Sequence, residues 1–430
     1  MSDRRRSREL QPRVASTRPS EFLPVRLAAD RQEALGAPAL LDELDLGGGR
    51  WVLVLETASG LLASAVVEDH EGFRRAHPGD GVAEGLLAKT ASGEGRGGFT
   101  FRPLGTIGPW TGERPIEVDQ SNESIVVGGE AVVKRFVFTT AGNERPMVLP
   151  AHLVAAGFEE MPAPLGNAGW QHADGMTSLA SITTYLHDAT DGWDWYVELL
   201  DRSLDDRSLD AVEPAAAVGA ITARLHVALA TPTEVLPTPT ASACEDTVAG
   251  WRRNAEDDLD AALASIDGDE GSRLREHAEA ILDELNELRS PETIAIPIHG
   301  DLHVGQFLRW RGGLAVSDLD GDPLGPGTVE GSPAKDVASL VQSLDHVGRI
   351  VERRRRGSLA GWIREASDAC LEAYRGGLAA LGASSLFDEQ LLRPLRIAQE
   401  LHEFVYAARY LPTWRYVPDR ALPALLEERG

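Results

Sequence analysis

The chain has 430 residues, with 67 Asp and Glu against 42 Lys and Arg and a formal charge of −25. That length allows two or three domains around a substantial core. The acidity disfavours nucleic acid as a partner, since phosphate backbones demand stripes of Lys and Arg, but suits solubility or a small cationic substrate drawn into an acidic cleft.

The start, Met1 to Arg6, is basic with no apolar stretch behind it, so no secretory signal is expected. Residues 1–30 are polar and aperiodic and are expected to be loose, apart from an anchor at Phe22-Leu23-Pro24-Val25. Two apolar runs, 51–55 and 61–67, flank Thr57-Ala58-Ser59-Gly60 and read as a strand–turn–strand unit. A short helix is expected over 83–91, a Gly/Ser-rich boundary over 92–98 and a strand at 99–101. From Pro115 the chain reads as β-rich: 115–118, then the polar turn Ser121-Asn122-Glu123-Ser124, a strand at 125–127, a Gly128-Gly129 turn, and a strand over 131–136 that carries Lys134. A lysine fixed in such a strand can reach nucleotide phosphates, although on an outer face it would be unremarkable. A short helix over 149–158 and a strand over 179–186 follow.

Beyond a loop at 187–192 the pattern turns helical. Apolar residues recur at three- and four-residue spacing over 211–229, 247–266, 271–288, 334–351, 359–381 and 389–411, with a proline-bearing loop at 231–242. Arg353 to Arg356 reads as a solvated helical face. No run approaches about 18 uninterrupted apolar residues, so no membrane span is expected. Two cysteines, Cys244 and Cys370, give neither a disulfide framework nor metal spacing, and a reduced, cytoplasmic setting follows.

One stretch interrupts the helices. A buried strand over 294–298 leads into His299-Gly300-Asp301-Leu302-His303-Val304-Gly305-Gln306, and a second over 314–316 leads into Ser317-Asp318-Leu319-Asp320-Gly321-Asp322-Pro323, with a hairpin turn at 311–313 between them. The hairpin is expected to bring Asp301 and Gln306 close to Asp318 and Asp320. Hard oxygen ligands beside a proton acceptor suit Mg2+ and phosphate chemistry. Taken alone, the HGD tripeptide fits a solvated turn equally well.

With the strand lysine and the helical segment, these parts resemble the aminoglycoside-phosphotransferase-like kinases, and within them the actinobacterial maltokinase-like group. The carriers are HGDLHVGQ, DLDGDP, the Ser-Asn-Glu-Ser turn before the lysine strand, and the extra N-terminal region. The resemblance implies an α+β, bilobal protein-kinase-like fold: an N-terminal β-rich cap (1–110), a β-rich intermediate nucleotide-binding lobe (111–186) and a mainly helical C-terminal lobe (187–430), with a ligand cleft between lobes. It implies ATP and Mg2+ as cofactors. Asp301 matches the catalytic aspartate; Gln306 and Asp318 match the metal ligands, with Asp320 for a second ion or its water. Lys134 matches the lysine on the α/β-phosphates, Ser121, Asn122 and Ser124 the turn over them, and Thr184, Tyr185 and Leu186 the adenine hinge. His299 is read as holding its loop, and His303 stands between that role and a substrate contact. The glutamate expected to pair with the lysine is absent, since Val148 occupies its place; Glu144 could serve only if the chain folds back.

The acceptor is read from the C-terminal helix. Glu400 and Glu403 lie at i, i+3 on one side, and Trp414 and Tyr416 offer flat rings. Glu403, Trp414 and Tyr416, with Asp301, His303 and Asp322, are the expected substrate residues. An acidic pocket with an aromatic wall suits an ammonium group, and the pattern resembles the glucosamine kinase offshoot of the group, implying glucosamine 6-phosphate as product. A maltokinase forming maltose 1-phosphate, an aminoglycoside phosphotransferase and a non-catalytic kinase-like binding module are the alternatives. The expected partner is a small sugar or amino sugar, without nucleic acid or membrane, acted on by a monomer or homodimer.

Overall fold

The computed structural model describes residues 3–23, 36–58, 60–70, 72–116, 122–173, 175–290, 292–311, 313–321 and 330–428. Ser121 and Asp322, both expected at the site, lie outside them. The chain divides into two compact units, Met1–Val154 with Pro162–His187, and Ala155–Met161 with Asp188–Gly430.

The first unit holds two sheets. Strands β1 (Ala39–Gly47), β2 (Arg50–Thr57), β3 (Gly60–Glu68) and β4 (Phe73–Arg75) run in that order. The unbroken apolar run of β2 is buried on both faces, as such a run requires. Trp51, Leu53 and Leu55 pack with Leu10 and Val14 of helix α1 (Asp3–Ser16), while Val52 and Val54 share a core with Val82, Ala83, Leu86 and Leu87 of α2 (Val82–Ser92). The expectation that residues 1–30 are loose is thus corrected for α1: Leu10 and Val14, one turn apart, dock on β2, too sparse a pair to register as a period.

The second sheet has the order β5 (Phe99–Pro103), β10 (Pro164–His172), β11 (Gly175–Thr184), β8 (Ala131–Arg135), β7 (Glu123–Val127), β6 (Glu113–Pro115), with helix α3 (Arg145–Ala155) between β8 and β10 in sequence. Strand β9 (Phe138–Thr139), just past the lysine strand, joins β3 of the other sheet. Sheet membership therefore crosses residue 110 in both directions: β5 pairs with β10, and β9 with β3. Glu113 completes the connection by accepting from the N–H groups of Gly79, Gly81 and Glu84 at the start of α2, at 2.8, 3.0 and 3.0 Å.

The second unit is mainly helical: α4 (Gly192–Ser203), α5 (Glu213–Ala230), α6 (Glu245–Ser265), α7 (Gly268–Asn286), α8 (Pro333–Arg355), α9 (Ala360–Ala380), α10 (Leu392–Tyr410) and α11 (Tyr416–Glu427). Its strands are short. β12 (Ala241–Cys244), β13 (Glu292–Pro297) and β16 (Glu330–Gly331) form one sheet, and β14 (Phe307–Trp310) with β15 (Gly313–Val316) the expected hairpin. Helix α8 is central, buried at nearly every position from Pro333 to Gly348, polar residues included. Among the described residues no helix is long and apolar enough to cross a membrane. The α+β, protein-kinase-like class expected from the sequence holds.

Candidate active site

The chain leaves β13 and turns through His299-Gly300-Asp301, a turn fastened from beneath. Asp336, in the first turn of α8, accepts from His299 N–H at 2.7 Å and Gly300 N–H at 2.8 Å. It also accepts from His226 Nε2 at 3.1 Å, and His226 Nδ1 takes the hydroxyl of Tyr374 at 2.8 Å. Burial alone would raise the Asp336 pKa, but His226, His299 and the Gly300 amide outweigh it and hold the carboxyl below its ordinary range. His299 has the structural role expected of it. Its Nε2 donates to the Ser317 carbonyl at 2.9 Å, so Nδ1 is the acceptor, and it receives the Asp301 N–H at 3.4 Å. One buried imidazole therefore ties the loop of Asp301 to the segment of Asp318.

Past Asp301 the loop closes in a short 3-10 turn, Val304–Gln306, capped by His303, whose Nδ1 accepts from Gly305 N–H at 3.0 Å. The ring proton is therefore on Nε2, 3.9 Å from the Asp301 carboxylate and 3.4 Å from the Gln306 side-chain amide. Burial pushes the His303 pKa down to about 4, against the opposing pull of Glu403 and Asp318. His303 stays neutral at physiological pH. The turn abuts the start of α4, and only glycine allows that approach: a Cβ at Gly192 would lie 1.6 Å from the Val304 carbonyl oxygen.

The hairpin brings its two acidic or amide ends side by side. Phe307 pairs with Val316, so Gln306 and Ser317 face each other at the open end, where Ser317 N–H donates to the Gln306 carbonyl at 2.8 Å. Asp318 follows, exposed, in the left-handed region at φ +62°. Asp tolerates that conformation better than most residues, and such backbone strain concentrates at functional positions. Gln306 and Asp318 bring hard oxygen atoms to one edge, and half-buried Asp320 lies two residues on. That donor set fits Mg2+ and not a soft metal. Among the described residues no group of three His, Cys, Asp or Glu has metal-binding geometry.

In the first unit, β8 alternates: Ala131, Val133 and Arg135 are buried, Val132 and Lys134 half-buried. Lys134 stands between Ser124 on β7 and Ser181 on β11, its Nζ 6.0 Å from the Phe136 ring. Asn122 begins the same turn, half-buried. Glu144 precedes α3, and one of its carboxylate oxygens accepts from Met176 N–H at 3.2 Å. In the hinge, Thr184 N–H donates to the Ala163 carbonyl at 2.9 Å and Tyr185 N–H to the Glu130 carbonyl at 2.8 Å, with Leu186 buried after them.

On the acceptor side, α10 separates its two glutamates. The two lie on one side of the helix, about 60° apart, but differ in burial: Glu400 is fully buried against α8, while Glu403 is half-buried and accepts from Gln399 at 3.1 Å. Trp414 is reached from the catalytic loop through rings. His303 stacks on Trp193 at 5.5 Å, and Trp193 meets Trp414 edge-on at 5.6 Å. Tyr416 meets Trp414 at 6.4 Å and carries the Arg353 guanidinium on its ring at 4.0 Å. That face is thereby taken, and Tyr416 is a support for Trp414 more than a sugar platform. Sequence reasoning missed Trp193, Asp336 and His346; polar residues at core positions of the α8 period are the signal that marks the last two.

The Asp301 loop is thus anchored by a buried carboxylate, and the hairpin beside it carries oxygen donors. No protein-family model matches the sequence. It is 41% identical over 440 residues to a glucosamine kinase of Streptacidiphilus jiangxiensis, covering 97% of this chain and 98% of that one. It is 40% identical over 407 residues to a glucosamine kinase of Mycolicibacterium smegmatis, covering 90% and 98%. A solved glucosamine kinase in complex with glucosamine, ADP and inorganic phosphate superposes with a TM-score of 0.79 at 40% identity, covering 97% of this chain and 99% of that one. Another crystal form reaches 0.82 at 39%, with the same coverage. The chain belongs to the glucosamine kinase family.

Proposed function

We propose that the protein transfers the γ-phosphoryl group of ATP to the 6-hydroxyl group of D-glucosamine, giving glucosamine 6-phosphate and ADP. The observation that carries this reading is family membership along nearly the whole chain, with a relative that binds glucosamine and ADP together. Asp301 accepts the proton of the sugar hydroxyl as its oxygen attacks phosphorus. The neutral His303 ring lies beside the same carboxylate, its Nε2 3.9 Å away, and limits where it can turn. Gln306 and Asp318 would hold Mg2+, and Asp320 a second ion or its water; the ion would supply charge neutralisation at the phosphates. Lys134 serves the α/β-phosphates, with Asn122 and Ser124 beside them. With the Thr184 and Tyr185 amides engaged, donation to adenine falls to Leu186.

Glu403 receives the ammonium group of the amino sugar, and Trp414 packs against its ring. Glu403 is half-buried and accepts from Gln399 at 3.1 Å, which leaves its second oxygen to meet a cationic ligand. Such a charge-assisted bond is worth roughly 1.5–3 kcal/mol, about one to two decades of preference over glucose. The reading places the enzyme in the cytoplasm, where Cys244 and Cys370, both free thiols, stay reduced, as a monomer or homodimer. Turnover with ATP and Mg2+ on glucosamine, maltose, glucose and kanamycin tests it. No preference for glucosamine would overturn the acceptor, and no transfer to any sugar would favour a non-catalytic module.

A further inference from the structure

Behind the acceptor wall, α8 and α10 share a polar network sealed from solvent. His346 Nε2 donates to Glu400 Oε1 at 2.9 Å, and the Gln342 amide donates to the same oxygen. Arg396 Nε donates in turn to Gln342 Oε1 at 2.6 Å. Glu400, Gln342 and His346 are 0%, 1% and 2% exposed. The other Glu400 oxygen is buried without a hydrogen-bond partner among the described residues.

Stability alone is a poor account of such a network. A buried ion pair is often replaced by apolar residues of similar volume at no loss of stability. Apolar residues cannot reproduce a directional N–H···O bond that fixes one helix in register against another. The network's position says what is being fixed. The His346 ring meets Trp414 edge-on at 6.2 Å, and Trp414 continues through Trp193 to His303 on the catalytic loop. Glu403 is three residues beyond Glu400 on the same helix. A ring displaced at His346 would move Trp414, and a rotated α10 would move Glu403.

We propose that His346 and Glu400 form a positioning pair that holds Trp414 and Glu403 where they take the amino sugar. This rests on the acceptor reading above. The pair also neutralises itself, so the ligand meets the charge of Glu403 and not that of a second carboxylate.

The test compares melting temperature and the KM values for glucosamine and ATP in wild type, His346→Gln and the double variant His346→Leu/Glu400→Leu. The double variant removes both charges and is expected to melt within a few degrees of wild type. Its KM for glucosamine is expected to rise about tenfold, with KM for ATP unchanged. His346→Gln, which keeps a donor, is expected to hold the glucosamine KM within about threefold. A double variant with native melting and native glucosamine KM overturns the proposal, as does an equal rise in both KM values. A wild type that does not phosphorylate glucosamine overturns the acceptor reading and the pair's role together, whereas a normal wild type beside an unaffected double variant overturns the pair alone.

Discussion

Asp301 and Asp336 have opposite environments, and the difference separates chemistry from scaffolding. The Asp301 side chain is about a third exposed, at 34%, and is the group proposed to face the acceptor. Asp301→Asn is expected to lower kcat by about 10²–10⁴ while calorimetry finds ATP–Mg2+ affinity nearly unchanged. Asp336 is fixed by three donors, so Asp336→Asn is expected to lower kcat and melting temperature together. Glu403→Gln is expected to lower kcat/KM for glucosamine about ten- to a hundredfold, from the same 1.5–3 kcal/mol, with little effect on glucose. Two histidines add a pH signature. Burial pushes His303 down to about 4, whereas for His346 burial is outweighed by Glu400, Glu403 and Asp345, which hold it up at about 9. In the unfolded chain both lie near about 6.5. The stability from neutral His303 is complete above about pH 6.5 and is lost as pH falls towards 4. That from protonated His346 is complete below about pH 6.5 and is lost as pH rises through 9. Melting curves are expected to show a maximum near pH 6.5, and His346→Gln to flatten the alkaline limb. A melting temperature still climbing from pH 7 to 9 would contradict the assignment.

At the scale of elements, the catalytic loop is a joint among α4, α8 and the β14–β15 hairpin. Thr190 exchanges two backbone bonds with Arg309, at 3.1 and 2.9 Å, and Trp195 Nε1 donates to the Phe307 carbonyl at 2.9 Å. Gly192→Ala forces the start of α4 away from the Val304 carbonyl, and with it Trp193 from His303. The expected outcome is a melting temperature lower by several degrees and at least a tenfold loss of kcat; an unaffected enzyme would show that the contact is not needed. This joint also marks how much was legible in the sequence. The positions of Asp301 and Asp318 could be placed because each comes just past a short apolar strand, and that of Gln306 because it directly precedes another, Phe307–Trp310. Asp336, His226 and Tyr374 were not, because 37 residues separate His299 from Asp336 and helical period alone does not say which neighbour a buried polar side chain meets. Glu400 misled for a related reason: i, i+3 spacing gives a shared side, but 60° of helix rotation separates a core position from a lining one.

Across the molecule, helical periods located six of the eight helices described in the second unit to within a few residues, since long amphipathic segments carry their own signal; the shorter α4 and α11 were not delimited. The first unit was read less well. Strand β1 is studded with acids and β10 with glycines, and each is a strand because of what it pairs with. Trp170 of β10 donates to Asp42 of β1 at 2.9 Å, linking the two sheets through side chains that no local pattern connects.

The pairing of β9 with β3 reaches further than the fold. Val137, three residues past Lys134, gives its carbonyl to Ala63 N–H at 2.8 Å, and Phe138 and Thr139 pair with Leu62 and Leu61. The segment just past Lys134 is thus gripped by the N-terminal sheet. For anyone building chimeras or trimming domains, this makes residues 1–110 an inseparable part of the nucleotide machinery and not an accessory. A chain beginning at residue 111 would lose the partners of β9 and β10 and expose the core they share, so it should be recovered as aggregate with no ATP binding. Grafts that exchange the whole first unit, cutting at its own borders, are the ones expected to survive.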